Sequence, residues 1–210
     1  MLTLPPLDTI YKVLGILAAS VTIVSVIAAS LGGFTFLQLG QQSNNSTPLP
    51  YTITVSGANL TFSSDVGFNI TYPTALTDYR SMNSSSSPLL EIYVNPNDPV
   101  DKITVASSYP YVGETFQDFI TQKFYSALTL QDFNLITRGN ATLGGLPAYK
   151  IVYTANEQNW DPTLNEIVQV TWIFAINNGR IYSVGYLAVL NDYNKYLPQA
   201  QGIMASFSYT

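Results

Sequence analysis

The chain has no cysteine and no histidine among its 210 residues. Without cysteine there is no disulfide framework, no thiolate nucleophile and no sulfur-held zinc or iron–sulfur centre. Without histidine the usual general base and the commonest transition-metal ligand are both missing, so a Ser-His-Asp triad cannot be built. Charge is scarce too: charged residues make up 10% of the chain, against about 25% in an ordinary soluble domain. The balance is acidic, with a net charge of −5 and a pI near 4.4. Nothing here neutralises a phosphate backbone, so nucleic acid is not an expected partner.

Ser, Thr, Asn, Gln and Tyr fill the polar positions, and hydrophobic residues reach 47%, enough for one core with an appendage. The surface this implies is uncharged but hydrated, as at a cell surface. From Val13 to Gly40 no residue is charged. A helix over that stretch rises about 42 Å, more than the roughly 30 Å hydrocarbon layer requires. Residues 1–40 are therefore expected to be a transmembrane anchor in the lipid bilayer. Lys12 flanks its start and favours a cytoplasmic amino terminus. The rival reading is a cleaved signal peptide, with Ala28-Ala29-Ser30 as the small-residue cleavage region. Ser25, Ala29 and Gly33 recur at four-residue spacing, a stripe that lets another membrane helix approach closely.

Residues 41–56 open with "QQSNNSTPLP" and read as a Ser/Asn/Pro linker. Residues 57–210 then form the expected extracytoplasmic domain of a single-pass cell-membrane protein. Glycosylation sequons fall at Asn44, Asn45, Asn59, Asn69, Asn83 and Asn140, all beyond the apolar run.

Inside the domain, "FNITY", "LLEIYV" and "KITVAS" read as strands, and strands resume over 133–137, 148–154, 166–176 and 180–188. "IVQVTWIFAI" is apolar on both faces from Val168 on and is expected to be covered on both sides. Asn177-Asn178-Gly179 before Arg180 marks a hairpin turn. Phe116, Phe119, Ile120, Phe124 and Leu128 make one helical face, and Thr115 with Asp118 resembles a capping box. A second helix is expected over 192–206, bent or started at Pro198. The fold class is α+β: an antiparallel sheet sandwiched between helices, preceded by one transmembrane helix.

Three stretches carry a family resemblance. "GFNITYP" (Gly67 to Pro73), "LGGLPAYKIVYT" (Leu143 to Thr154), and "GRIYSVGYLA" followed by "YNKYLPQAQGIMASF", closing on Ser206 and Phe207, together resemble the PsbP-like domain. The resemblance spans about Gly57 to Tyr209. It implies a sheet between helices, no catalytic activity, no cofactor, and work by docking on partners such as photosystem cores or, in nuclear relatives, Ran. A histidine-free chain has no counterpart of the photosystem subunit's functional histidines. The anchored, Asn- and Thr-rich form is similar to exported archaeal members, ammonia oxidisers especially. On that footing the chain is an accessory subunit of a membrane complex, such as an archaeal ammonia-oxidising monooxygenase, with other complex subunits as partners. The alternative is a cell-envelope protein that binds carbohydrate or a small solute, with glycans as ligands.

Candidate sites are few. Asn95, Asn97, Asp98 and Asp101 gather hard oxygen donors suited to calcium in one loop, without EF-hand spacing. Glu157, Asp161 and Glu166 surround Trp160, but a glycosidase pair needs one carboxyl in an apolar pocket. Trp160 with Tyr109 and Tyr111 can form a docking or sugar-stacking surface. The glycines of "LGGLPAYKIVYT" precede a strand and not a helix, so they read as a turn and not a phosphate cradle.

Overall fold

The computed structural model describes residues 34–36, 50–81, 89–156 and 165–210. Trp160, Glu157, Asp161, the sequons at Asn44, Asn45 and Asn83, and the Ser25, Ala29 and Gly33 stripe lie outside the described residues.

The amino-terminal strands are β1 (Phe34–Phe36), β2 (Tyr51–Ser56), β3 (Asn59–Ser64) and β4 (Phe68–Pro73). With β12 (Ser208–Tyr209) they form a five-stranded antiparallel sheet in the order β1-β2-β3-β4-β12. Two expectations are corrected here. Tyr51–Ser56 is a strand and not the end of a linker, paired from Tyr51↔Ser64 to Ser56↔Asn59; its alternating Thr and β-branched residues suit a pleated surface. Phe34–Phe36 is likewise a strand, paired Phe34↔Val55 to Phe36↔Ile53, where the apolar run was expected to be helical to Gly40. Phe-Thr-Phe is a β-favouring triplet, so hydropathy alone does not decide the conformation there.

The larger sheet contains β5 (Thr77–Arg80), β6 (Leu90–Tyr93), β7 (Lys102–Ser108), β8 (Asn134–Leu143), β9 (Leu146–Asn156), β10 (Ile167–Asn177) and β11 (Arg180–Val189). Its seven strands run in the order β5-β6-β7-β11-β10-β9-β8, all neighbours antiparallel. The hairpin at Asn178-Gly179 is present, with φ of +49° and +74°, as a two-residue turn between twisted strands requires.

Among the described residues there are two helices, α1 (Phe116–Leu128) and α2 (Leu190–Ala205). The capping box forms as read: the Thr115 hydroxyl accepts the Asp118 N–H while Asp118 accepts the Thr115 N–H. Helix α2 differs from expectation, because it starts at Leu190 and runs through Pro198 unbroken. Pro198 and Asn194 are both exposed, so the carbonyl that loses its helical donor faces water. Tyr193, Ala200, Ile203 and Met204 anchor the opposite side. No described helix is long and apolar enough to cross a membrane.

The seven-stranded sheet carries a core on each face. On one, Phe119, Ile120 and Ala127 of α1 pack on Ile151, Val170 and Phe174. On the other, α2 and the five-stranded sheet pack together, with Phe68, Ile70 and Tyr72 against Val105, Val184 and Tyr186. β10 lies between β11 and β9 and contributes to both cores, Phe174 to one and Ala175 to the other. This is the expected sheet between helices, with a second sheet added on the α2 side.

Candidate functional site

The motif "LGGLPAYKIVYT" closes the β8–β9 hairpin, with Leu143 paired to Leu146 across Gly144 and Gly145. Both glycines have positive φ, +55° and +83°, the two-residue hairpin geometry. Gly144 has a second constraint: a Cβ there would sit 2.8 Å from the Tyr209 ring and 3.3 Å from Phe207. The turn thus packs on the chain's carboxyl end. That end is itself held by Ser206, whose hydroxyl accepts the Thr71 N–H at 2.8 Å and donates to the Thr71 carbonyl at 2.9 Å. Phe207 stacks on Phe68. All three family-like stretches therefore meet in one structural junction.

The oxygen-donor loop turns inward. Asp101 is fully buried; Asn95 Nδ2 donates to its Oδ2 at 2.8 Å and the Val189 N–H to its Oδ1 at 2.9 Å. Val189 is the N-cap of α2 and makes no side-chain cap bond, and Asp101, just ahead of β7, ties down its backbone N–H instead. Burial pushes the Asp101 carboxyl up, its two donors pull it down, and Asp98 and Asp192 add to the rise. Asn95 and Asp98 side chains accept the Asn97 and Val100 N–H groups. The side-chain oxygens of Asn95, Asp98 and Asp101 are thus engaged in ordering the loop, while Asn97 is exposed. Among the described residues no cluster of three acidic side chains is arranged for a metal.

Two enclosed tyrosine hydroxyls resist ionisation. Tyr153 is pushed up to about 12 by burial, against the opposing hydrogen bond from Trp172. Tyr209 reaches about 12 for the same reason, with Tyr182 adding to it. Such groups stay protonated at neutral pH, and the Tyr209 hydroxyl is enclosed without a hydrogen-bond partner among the described residues. Glu166 is exposed.

Of the aromatic surface residues, Tyr109 and Tyr111 do project. They are 68% and 76% exposed, and Val112 beside them is fully exposed. The loop bearing them, between β7 and α1, is nonetheless pinned. The Arg180 guanidinium stacks on the Tyr109 ring at 4.2 Å, and its Nη1 donates to Ser107 Oγ at 2.8 Å. Tyr111 N–H donates to the Glu114 carboxylate at 2.8 Å, and Glu114 N–H donates back to the Tyr111 carbonyl at 2.9 Å. Nothing in the sequence pointed to Arg180, which starts β11, the strand paired with β7 beside the loop it holds.

Beside this loop a cleft of about 410 Å³ opens between α1 and the sheet, bordered by Trp172, Phe174, Phe119 and Lys123. A second, about 670 Å³, lies between α2 and the other face and includes Gly144, Gly145, Gln169 and Gln201. The described sequons differ in access. Asn59 and Asn140 are exposed, whereas Asn69 is half-buried in β4 between its partners Ser63 and Ser208, with Oδ1 enclosed.

Among solved structures the fold is similar to cyanobacterial PsbP (CyanoP) from Synechocystis sp. PCC 6803, with a TM-score of 0.51, 12% identity, and coverage of 73% of this chain and 93% of that one. It is also similar to LpqN, involved in cell envelope biogenesis of Mycobacterium tuberculosis, with a TM-score of 0.50, 16% identity, and coverage of 68% and 83%. At these identities the likeness is one of fold, and it is the PsbP-like fold. No protein-family model matches the chain, and no curated protein matches it in sequence.

Proposed function

We propose that the chain is a non-catalytic, extracytoplasmic binding module, held at a membrane by its amino-terminal apolar segment, that docks on and stabilises other subunits of a membrane complex. The observation that carries this reading is the promontory Tyr109-Pro110-Tyr111-Val112. Large amphipathic side chains stand in solvent on a loop fixed at both ends. A preordered aromatic surface binds with little further loss of conformational freedom, and tyrosine is among the residues that dominate interface energies. The PsbP-like fold and LpqN's role in envelope biogenesis support a module of this kind. The sequons beyond the apolar run support exposure outside the cytoplasm. An archaeal ammonia-oxidising monooxygenase is the complex that the exported, Asn-rich form suits best.

The test is mild detergent extraction of native membranes, native electrophoresis and mass spectrometry of the bands. The chain is expected to co-migrate with integral membrane subunits and to lose them when Tyr109 and Tyr111 are both changed to Ser. Migration of the intact chain alone, as a monomer, overturns the reading.

A further inference from the structure

The cleft under α1 has a composition the docking reading does not use. On the α1-facing side of the sheet, Trp172 and Phe174 of β10 lie directly opposite Gly185 and Ser183 of β11, and Ser183 in turn lies opposite Ala106 of β7. Helix α1 covers the β9–β10 half of this face, and the small residues leave a trough next to it. Gly185 is central to its shape. A Cβ there would be 2.5 Å from the six-membered ring of Trp172, so the missing side chain lets the indole lie down on the sheet. The Trp172 and Phe174 rings stack at 5.9 Å and 19°, and Phe174 is itself buried against Phe119, so the indole of Trp172 is the aromatic face left to the cleft. Trp172 is only half-buried, and the indole is held between Gly185 below it and Phe174 beside it.

The rim is hydroxyl-bearing on both sides, with Ser126 on α1 and Ser108 and Ser183 on the strands. A hydroxyl both donates and accepts, so this rim matches a ligand that itself carries hydroxyls. An alkyl chain filling the trough would strip water from these groups and return no hydrogen bond. At the border stands Lys123, its Nζ 5.1 Å over the Phe119 ring and without a carboxylate partner among the described residues. A single cation beside an otherwise uncharged cleft, in a chain of net charge −5, selects one negative charge. The volume lies within the roughly 300–1,000 Å³ usual for small-molecule sites.

We propose that this cleft binds an acidic sugar residue, a hexuronic acid unit, with its C–H face on Trp172, its hydroxyls on the serine rim and its carboxylate towards Lys123. The site adjoins the Tyr109 loop through Ser108 but requires no protein partner, so it stands or falls separately from the docking reading.

The experiment uses the full chain in detergent carrying Trp160→Phe, which leaves Trp172 as the only tryptophan. It is titrated with digalacturonate and, in parallel, with neutral galactobiose, followed by tryptophan emission and by calorimetry. Saturable binding of digalacturonate is expected with a Kd of about 1 mM or tighter. Galactobiose should bind about 2- to 5-fold more weakly, the size of a solvent-screened ion pair. Lys123→Gln, at an exposed helix position, should leave the melting temperature unchanged and abolish that preference. Ser183→Val should weaken both sugars. Absence of saturable binding overturns the proposal. So does equal affinity for the two sugars, or a preference for the acidic one that survives Lys123→Gln.

Discussion

Gly144 and Gly145 share one turn but sit in different surroundings, and the contrast can be measured. In Gly145→Ala the new Cβ meets nothing within 4 Å, and the strain is that of a φ of +83°. That left-handed strain is roughly 1–2 kcal/mol, partly offset by about 0.4–1 kcal/mol from the stiffer unfolded chain. The net loss is about 1 kcal/mol, or roughly 2–4 °C in melting temperature for a domain of this size. Gly144→Ala meets the same kind of backbone strain at φ +55°, and its Cβ also arrives 2.8 Å from the Tyr209 ring. Displacing that ring from β12 adds an overpacking cost of about 1–3 kcal/mol. The total is about 2–4 kcal/mol, or roughly 4–16 °C. Thermal melts of the two single variants provide the comparison, and a third variant identifies the cause. Tyr209→Ala in the Gly144→Ala background should remove most of the extra loss, so the two changes should be strongly non-additive. Equal destabilisation by the two alanines, or additive behaviour with Tyr209→Ala, would refute the claim that the turn is built to receive the carboxyl-terminal strand.

Asp101→Asn tests the buried carboxylate that holds the start of α2. Asn offers one acceptor where two donors converge, so the loss at neutral pH should be about 1–3 kcal/mol by denaturant unfolding. Because burial raises this carboxyl, the folded chain takes up the proton at higher pH than the unfolded chain does. Its contribution to stability therefore improves as pH falls from the raised value toward the ordinary carboxylate value, and the wild-type advantage over Asp101→Asn should widen on acidification; a narrowing gap would contradict it. Glycopeptide mass spectrometry of the native protein should find glycans at Asn59 and Asn140 and none at Asn69; occupancy at Asn69 would mean that β4 is modified before it pairs. Tyr111→Ala should weaken attachment to the partner complex by about 2 kcal/mol, roughly 30-fold, if it is a central anchor. Ser206→Ala leaves the Thr71 N–H without its acceptor and should cost about 1–3 kcal/mol in the same melts.

Much of the fold was legible because its signals are local. The Phe116 to Leu128 face with its Thr115 cap, the alternation of "FNITY" and the Asn-Gly hairpin each declare themselves within a few residues. The five-stranded sheet did not. Its strand β2 is rich in Thr and follows a low-complexity tract, and its β4–β12 pair joins Phe68 to Tyr209, which no window on the sequence connects. The candidate sites divide in the same way. Tyr109 and Tyr111 were visible as an aromatic cluster, but Arg180, which holds them, is distant in sequence. Asn95 and Asp101 looked like outward oxygen donors because a loop of that composition is usually solvated; the α2 N-terminus draws them inward. The α1 cleft could not be read beforehand, since it depends on Trp172 lying opposite Gly185, a matter of register between strands. Trp172 by itself read as one more apolar residue in a central strand.

The central claim is that this domain works by leaning on a membrane partner through the Tyr109–Val112 promontory. The most direct measurement replaces Tyr111, and in a parallel strain the exposed turn residue Asp65, with a photoreactive amino acid in living cells. On irradiation the account predicts a covalent adduct to an integral membrane protein from position 111 and none from position 65. Adducts from position 65 alone, or none from either while the chain migrates as a free monomer, would contradict it.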